Sequence, residues 1–141
     1  MKRLIGALLL AVLCAGCSAG RTGGHPTALP AVGAPAAAPQ DFAAGTCRTN
    51  ADQVLSVRSW STRLLGQGEV AVADRKGMKK DQDALIAAMA KADPHLRKQM
   101  QSLVTAIGFA RLRLDIKTYD PKLMDDVARA EATVQGTCTS H

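Results

Sequence analysis

The chain has 141 residues, a net charge of +6 and only four aromatic side chains, although 47% of its residues are hydrophobic. This length leaves room for one domain of about 100 residues once the two ends are set aside, which excludes an enzyme with separate cofactor and substrate domains. The basic excess is too small to indicate a nucleic-acid-binding protein. Composition therefore restricts the fold more than it restricts the function.

Residues 1–16 have the pattern of an export signal. Lys2 and Arg3 give a positive start, an apolar run follows over residues 4–13, and small residues surround Cys17. The apolar run of roughly a dozen residues is shorter than the about 20 residues that a membrane-spanning helix needs. We therefore expect an exported chain, whose net charge falls to +4 when Lys2 and Arg3 are removed.

The sequence LCAGC at residues 13–17 resembles the lipobox of bacterial lipoproteins, in which the cysteine receives a diacylglycerol group and becomes the first mature residue. Cys17 is the matching position, and Cys14 stands where the family usually has leucine. The resemblance implies that residues 1–16 are a removed signal peptide, that Cys17 is lipidated, and that the protein lies on the extracytoplasmic face of the cell membrane. The alternative is cleavage after Ala19, which would release a soluble secreted protein.

Residues 17–40 have the composition of a flexible tether, with four prolines, paired glycines and no apolar period. Proline-rich chains favour an extended form of about 3.1 Å per residue, so this segment spans up to about 70 Å. His25 lies in the tether without a second type of ligand nearby, and we do not expect it to bind a metal. The folded domain is expected over residues 41–141.

The cysteines allow one intramolecular pairing. Cys14 leaves with the signal and Cys17 is acylated, so Cys47 and Cys138 remain, and an oxidising compartment favours a disulfide between them. This disulfide would bracket the whole domain. A redox-active pair is the alternative, but the two residues lack the Cys-x-x-Cys spacing that lowers a thiol pKa.

Four helices are predicted between these cysteines. Aspartate followed by proline marks the starts of the third and fourth, because aspartate caps free backbone N–H groups and proline tolerates the first helical position. Thr49 and Asp52 approximate a capping box for the first helix. The second helix is predicted to begin near Glu69, and its continuity through Gly77 is left open.

Apolar periodicity supports the same four helices. The third has the most regular seam, with steps of four and three residues at Leu96, Met100, Leu103, Ile107, Ala110 and Leu114. The stripes of the other three helices are, in chain order, Val54, Val57, Leu64 and Leu65; then Val70, Met78, Leu85, Met89 and Ala92; then Leu123, Met124, Val127, Ala128 and Val134.

Short connections between these helices predict antiparallel neighbours. We therefore expect an all-α fold, an antiparallel up-down four-helix bundle bracketed by one disulfide. Its first helix begins and its last helix ends at the same end, where Cys47 and Cys138 meet. The two middle helices are predicted to have about 24 residues, against about 17 for the outer pair. Their hairpin should therefore extend roughly 10 Å beyond the outer helices, with Phe42 folded over its tip.

Three features are candidates for binding. Arg75, Lys76, Lys79 and Lys80 form a basic ridge on the second helix, which is either a solvated face or a surface for an anionic polymer, a lipid surface or an acidic partner. Trp60 either packs in the core or, with arginines nearby, anchors a partner. The methionines and His95 either fill the core or hold haem or copper in it; these methionines are Met78, Met89, Met100 and Met124.

No combination of acid, base and nucleophile can be assembled from the sequence, and the spacings of di-iron, zinc and haem sites are absent from it. Asp125 and Asp126 are expected in the first turn of the last helix, where their negative charges interact favourably with the positive end of the helix dipole. The layout of signal, tether and cysteine-bracketed helices resembles small alanine-rich lipoproteins of high-GC Gram-positive bacteria, and this resemblance implies no active residues.

We predict a lipid-anchored, extracytoplasmic and non-catalytic interaction module without a cofactor. Its expected partners are the membrane, through the anchor, and an envelope protein or anionic wall polymer, but not nucleic acid. The alternative is a carrier of a small ligand, haem or a metal in the core of the bundle.

Overall fold

A computed structural model describes residues 37–139, and every regular element within them is helical. A 3-10 turn at Pro39–Asp41 is followed by a short helix α1 (Thr46–Thr49) and four longer helices, α2 (Ala51–Leu64), α3 (Val72–Met89), α4 (Pro94–Asp115) and α5 (Lys122–Thr139). The all-α class is confirmed, and so is the Cys47–Cys138 disulfide. The predicted signal, Cys17, His25 and most of the predicted tether lie outside the described residues.

Each long helix packs principally against two others: α2 and α4 both contact α3 and α5. Side chains link the helices across these contacts. Between α3 and α4, the Gln82 amide donates to the carbonyl of Val104 at 3.1 Å. Between α2 and α5, the Arg58 guanidinium donates to the amide oxygen of Gln135 at 2.8 Å. One apolar core results, to which all four long helices contribute.

The seam predicted for the third helix is confirmed in α4, where its six apolar residues are all buried. Val54, Val57 and Leu64 of α2 are buried as well, but Leu65 is exposed. The prediction for Leu65 is wrong because α2 ends at Leu64 and the chain turns outward at Gly66, whose φ of 73° is favourable for glycine.

Both aspartates that precede proline cap their helices as predicted. The Asp93 carboxylate accepts hydrogen bonds from the backbone N–H groups of His95 at 2.9 Å and Leu96 at 3.0 Å. The bond from Leu96 is the main cause that keeps the pKa of Asp93 below its usual value. Asp120 accepts from the N–H of Lys122 at 2.9 Å, at the first residue of α5.

The capping box predicted at Thr49 and Asp52 is wrong. Thr49 ends the short helix α1, and its hydroxyl donates to the carbonyl of Gly45 at 2.9 Å instead of accepting from the start of α2. The helix α2 begins after Asn50, whose side chain makes no capping hydrogen bond to α2. The reason is the additional helical turn at α1, which the sequence pattern did not distinguish from the helix that follows.

The second predicted helix is shorter than expected and continuous. It begins at Val72 rather than near Glu69, because residues 65–71 form the connection from α2, and it runs without a break through Gly77. With 18 residues it has the same length as α5. The middle helices are longer than the outer pair, with 18 and 22 residues against 14 and 18, but the difference is four residues rather than the predicted seven.

The segment before α2 closes the end of the fold that holds the disulfide. Phe42 is fully buried, and the N–H of Ala43 donates to the carbonyl of Cys138 at 2.8 Å. The hydroxyl of Thr46 donates to the carbonyl of Lys91 at 3.0 Å, in the turn after α3. This segment therefore lies against both α5 and the α3–α4 turn, which agrees with the predicted position of Phe42.

Candidate functional site

The predicted basic ridge lies on α3, and Arg75, Lys76, Lys79 and Lys80 are all exposed. Three of them line a groove between α3 and α4, whereas Lys80 is not part of its lining. We call this surface the α3/α4 groove. The ridge is thus divided between residues that face a concavity and one residue that lies outside it.

The α3/α4 groove has a volume of about 170 Å³ and a basic lining. Arg111 of α4 adds a fourth cation to Arg75, Lys76 and Lys79, and Asp115 is the one carboxylate among the lining residues. Val72 and Leu114 provide apolar surface in the same groove. The lining has four cations against one anion, and with Asp83, which pairs with Lys79 from outside the lining, a positive excess remains that favours ligands with negative charge.

Arg111 is positioned by a contact between the helices. Its guanidinium donates to the amide oxygen of Gln82, while the Gln82 amide nitrogen donates to the carbonyl of Val104. Gly108 leaves room for this arrangement, since a Cβ at that position would lie 2.8 Å from the Gln82 nitrogen. The partnership of Arg111 with the ridge depends on how α3 and α4 pair, and sequence spacing alone does not give that pairing.

The cations of α3 differ in their partners. Lys79 pairs with Asp83 at 2.6 Å on the exposed side of the helix, and the Nε of Arg75 donates to the carbonyl of Val70 at 3.2 Å. Lys76 has no hydrogen-bond or ion-pair partner among residues 37–139. Its ammonium group is therefore available to an external anion.

An apolar stripe, consisting of Phe109, Leu112 and Ile116, lies on the outward side of α4 and at the residue that follows its C-terminus. These side chains are between 45% and 54% exposed. Val72, at the start of α3 and in the lining of the groove, is 65% exposed. The sequence analysis missed this stripe, although the i, i+3, i+7 spacing of its residues, offset from the buried seam, indicates a second apolar face.

Trp60 is buried, with 4% of its surface exposed. Its indole N–H donates to the Asp81 carboxylate at 2.9 Å, and the Ser56 hydroxyl donates to the same oxygen at 2.7 Å. The core alternative for Trp60 is confirmed, and the alternative in which an exposed ring anchors a partner is wrong. The reason is the indole N–H, which finds its acceptor on α3 inside the fold.

Glu131 of α5 is a buried acid that the sequence analysis did not identify. It is 3% exposed, and its Oε1 atom has no hydrogen-bond partner. Burial raises the pKa of Glu131 from 4.5 to about 7, although the positive charge of Arg58 opposes the increase. Its position between Val127 and Val134 on the inward face of α5 is the signal that could have identified it.

This burial predicts a pH-dependent stability. Because the pKa of Glu131 rises from 4.5 to about 7 on folding, the folded state binds this proton more tightly. The free energy of unfolding should therefore fall by up to about 3 kcal/mol as the pH rises from about 4.5 to about 7. Glu131→Gln removes the charge, so we expect this variant to lose the dependence and to be more stable than the parent at about pH 8.

Urea unfolding at about pH 5 and about pH 8 measures this difference. Glu69→Gln is the matched control, because Glu69 is exposed in the loop before α3. If Glu131→Gln retained the full pH dependence of the parent, Glu131 would not be its source.

The methionines and His95 are not brought together in the core. Met78, Met100 and Met124 are buried. His95 is exposed in the first turn of α4, and its Nε2 lies 3.0 Å from the amide nitrogen of Gln99. The arrangement favours core filling for the methionines.

His95 instead lines a second groove, between α4 and α5, with a volume of about 340 Å³. The other lining residues are Lys98, Gln99, Ser102, Ala130 and Thr133. The Oε1 atom of Gln99 is buried and has no hydrogen-bond partner. This volume falls at the lower end of the range for small-molecule sites.

Among residues 37–139, no three His, Cys, Asp or Glu side chains come close enough together to hold a metal ion. None of the helices in that range has the length and apolar character to cross a bilayer. Asp126 pairs with Arg129 of the same helix, and Asp125 lies in its first turn.

The chain matches no protein-family model, no curated protein and no solved structure. The features that bear on function are therefore the charged and exposed α3/α4 groove, the apolar stripe, and the polar groove between α4 and α5.

Proposed function

We propose that the protein is a lipid-anchored, extracytoplasmic helical module that binds an envelope protein or an anionic envelope polymer without catalysing a reaction. Cys17 would carry the anchor, since it occupies the cysteine position of the lipobox-like sequence. The Cys47–Cys138 disulfide supports export, because such bonds persist in oxidising compartments. In this proposal the two disulfide cysteines have a structural role.

The proposal includes an antiparallel up-down arrangement of the four long helices. Its support lies in the order of the contacts between α2 and α3: Arg63 pairs with Asp74 at 2.6 Å, and Trp60 pairs with Asp81. Residue numbers fall along one helix as they rise along the other, as antiparallel neighbours require. The disulfide similarly connects the segment just before α2 to the end of α5.

The observations that carry the binding role are the basic α3/α4 groove and the exposed apolar stripe. Lys76 is a cation without a partner among residues 37–139, and exposed apolar side chains lie on the same two helices. Aromatic and arginine residues are enriched at protein interfaces, and contiguous exposed apolar surface marks binding sites. We therefore infer a binding surface here rather than a merely solvated face.

The anchor is tested by metabolic labelling with an alkyne analogue of palmitate. We expect the parent chain to incorporate the label and Cys17→Ser to lose it, because the thioether linkage needs the cysteine sulfur. Ser18→Ala is the neighbouring control and should retain the label. Equal labelling of the Cys17→Ser chain would contradict lipidation at this position.

The binding surface is tested by photo-crosslinking in intact cells that export the anchored chain. A photoreactive residue replaces Lys76 in the groove or Asp126 on the exposed side of α5. We expect an adduct with one envelope component from position 76 and not from position 126. Identical adducts from both positions, or none from position 76, would contradict the proposal.

A small-ligand carrier is the second candidate. The polar groove between α4 and α5 supports it, because its volume of about 340 Å³ and the unpartnered Gln99 Oε1 suit a small polar molecule. A carrier would still hold its small ligand after native extraction. The interaction module would contain no small ligand.

A further inference from the structure

We propose that the partner of the α3/α4 groove is an acidic amphipathic helix of another protein. Its carboxylates would lie against the cations of the groove, and its apolar side chains would cover the apolar stripe. This inference rests on the proposed function, because it names the partner class of the same surface.

The cations of the groove are spaced for a helical ligand. Arg75 and Lys79 are four residues apart on α3, so they lie about 6 Å apart along one face. Arg111 faces them from α4, and Lys76 has no partner among the described residues. Carboxylates that are one helical turn apart on a partner would reach the unpaired Lys76 and would compete with Asp83 for Lys79.

The apolar stripe supplies the second element of helix recognition. Phe109, Leu112 and Ile116 repeat at three and four residues, and Val72 is an exposed apolar residue in the lining of the groove. An amphipathic helix binds such a surface through its own residues at i, i+3, i+4 and i+7. The cation of Arg113 lies 4.9 Å from the centre of the Phe109 ring, which adds positive charge at the edge of the stripe.

The tether of the same chain does not have the chemistry of this partner. Residues 17–36 contain no aspartate or glutamate, and their one charged residue is Arg21. A basic segment without carboxylates would be repelled by four groove cations. The charge of the groove therefore favours a partner from outside the chain.

A protein partner fits the surface better than an anionic bilayer does. Asp115 lines the groove and lies between Leu112 and Ile116 in the sequence, and Asp83 is exposed beside Lys79. Insertion of the stripe into a membrane would bring the Asp115 carboxylate against anionic headgroups. A protein can instead place a lysine or arginine at that one position.

The test uses the acylated full chain in nanodiscs of phosphatidylcholine and two fluorescent helical peptides. Both peptides have the same length and the same leucine pattern, but one has glutamate and the other lysine at the polar positions. Fluorescence anisotropy measures the dissociation constants. We expect the glutamate peptide to bind and the lysine peptide not to bind.

Charge reversal then locates the site. Lys76→Glu/Lys79→Glu should weaken binding of the glutamate peptide about tenfold and give measurable binding of the lysine peptide. The control Lys80→Glu/Lys122→Glu changes the net charge equally at exposed residues outside the groove lining, and should change the affinity less than about twofold. A gain of binding to the lysine peptide is not expected from a damaged fold.

Four results would overturn this inference. Equal losses in both double variants would mean that only net charge matters. Protection of Lys76 from amine acylation in phosphatidylglycerol nanodiscs, without peptide, would assign the surface to lipid. No binding of the glutamate peptide, with the photoreactive residue at position 76 still crosslinking an envelope component, would reject the acidic helix and leave the proposed function standing. Loss of both the peptide binding and the crosslink would reject both.

Discussion

Replacing Cys47 and Cys138 together by alanine is expected to lower the free energy of unfolding by about 4 to 5 kcal/mol. The two residues are 91 positions apart, so the disulfide closes a loop that includes nearly the whole described fold. Such a long loop restricts the unfolded chain strongly, and its release gives the unfolded state more conformational entropy. Urea unfolding followed by the fluorescence of Trp60, the one tryptophan of the chain, measures the loss.

Reduction of the parent chain provides the control. It should reproduce the loss of stability, whereas reductant should have no effect on the double alanine variant. A loss below about 1 kcal/mol in both experiments would show that packing alone holds the two ends of the fold together.

Trp60→Ala is expected to destabilise the fold by about 3 to 5 kcal/mol, because it leaves a cavity in the core. It also removes the indole N–H that donates to the buried Asp81 carboxylate. Trp60→Phe retains most of the ring volume and removes this hydrogen bond, so we expect a smaller loss of about 1 to 3 kcal/mol. Circular dichroism in urea measures both variants, since neither retains the tryptophan signal.

Ser59→Ala is the matched control, because Ser59 is exposed on the same helix. Its effect should lie within about 0.5 kcal/mol of zero. If Trp60→Ala cost no more than Ser59→Ala, the ring would not be part of the core.

The features that local chemistry determines could be predicted from the sequence. The α4 seam follows from one helical period, and its six residues are all buried. Asp93 and Asp120 cap their helices because each needs only the backbone that follows it. The disulfide needed only the count of cysteines remaining in the folded domain.

The features that depend on pairing between helices could not be predicted. Asp81 is polar, and its burial becomes favourable only where α2 places Trp60 and Ser56 against it. The burial of Glu131 could not be predicted either. Its neighbours in the sequence show no metal-binding or catalytic spacing, and they do not indicate that its side chain is buried. Periodicity gives the inward face of a helix, but it does not say which polar residue is tolerated there.

Only part of the candidate site could be predicted, because the rest depends on how α3 and α4 pair. The i, i+4 spacing identified the cations of α3, but their division into groove residues and the outlying Lys80 depends on the position of α4. Arg111 joins them through Gln82, a contact between two helices. The apolar stripe was present in the sequence, but the stronger seam on the opposite face of α4 obscured it.

The lipid-anchored interaction module is tested most directly by the intact mass of the protein extracted from the membranes of a bacterium that acylates lipoproteins, recorded first native and then denatured. We expect a denatured mass equal to residues 17–141 plus the lipid anchor and less two hydrogen masses for the disulfide, with no small ligand lost on denaturation. An unacylated chain that begins after Ala19 would contradict the anchor. A native mass that exceeds the denatured mass by a small molecule or metal would contradict the interaction module and establish the carrier.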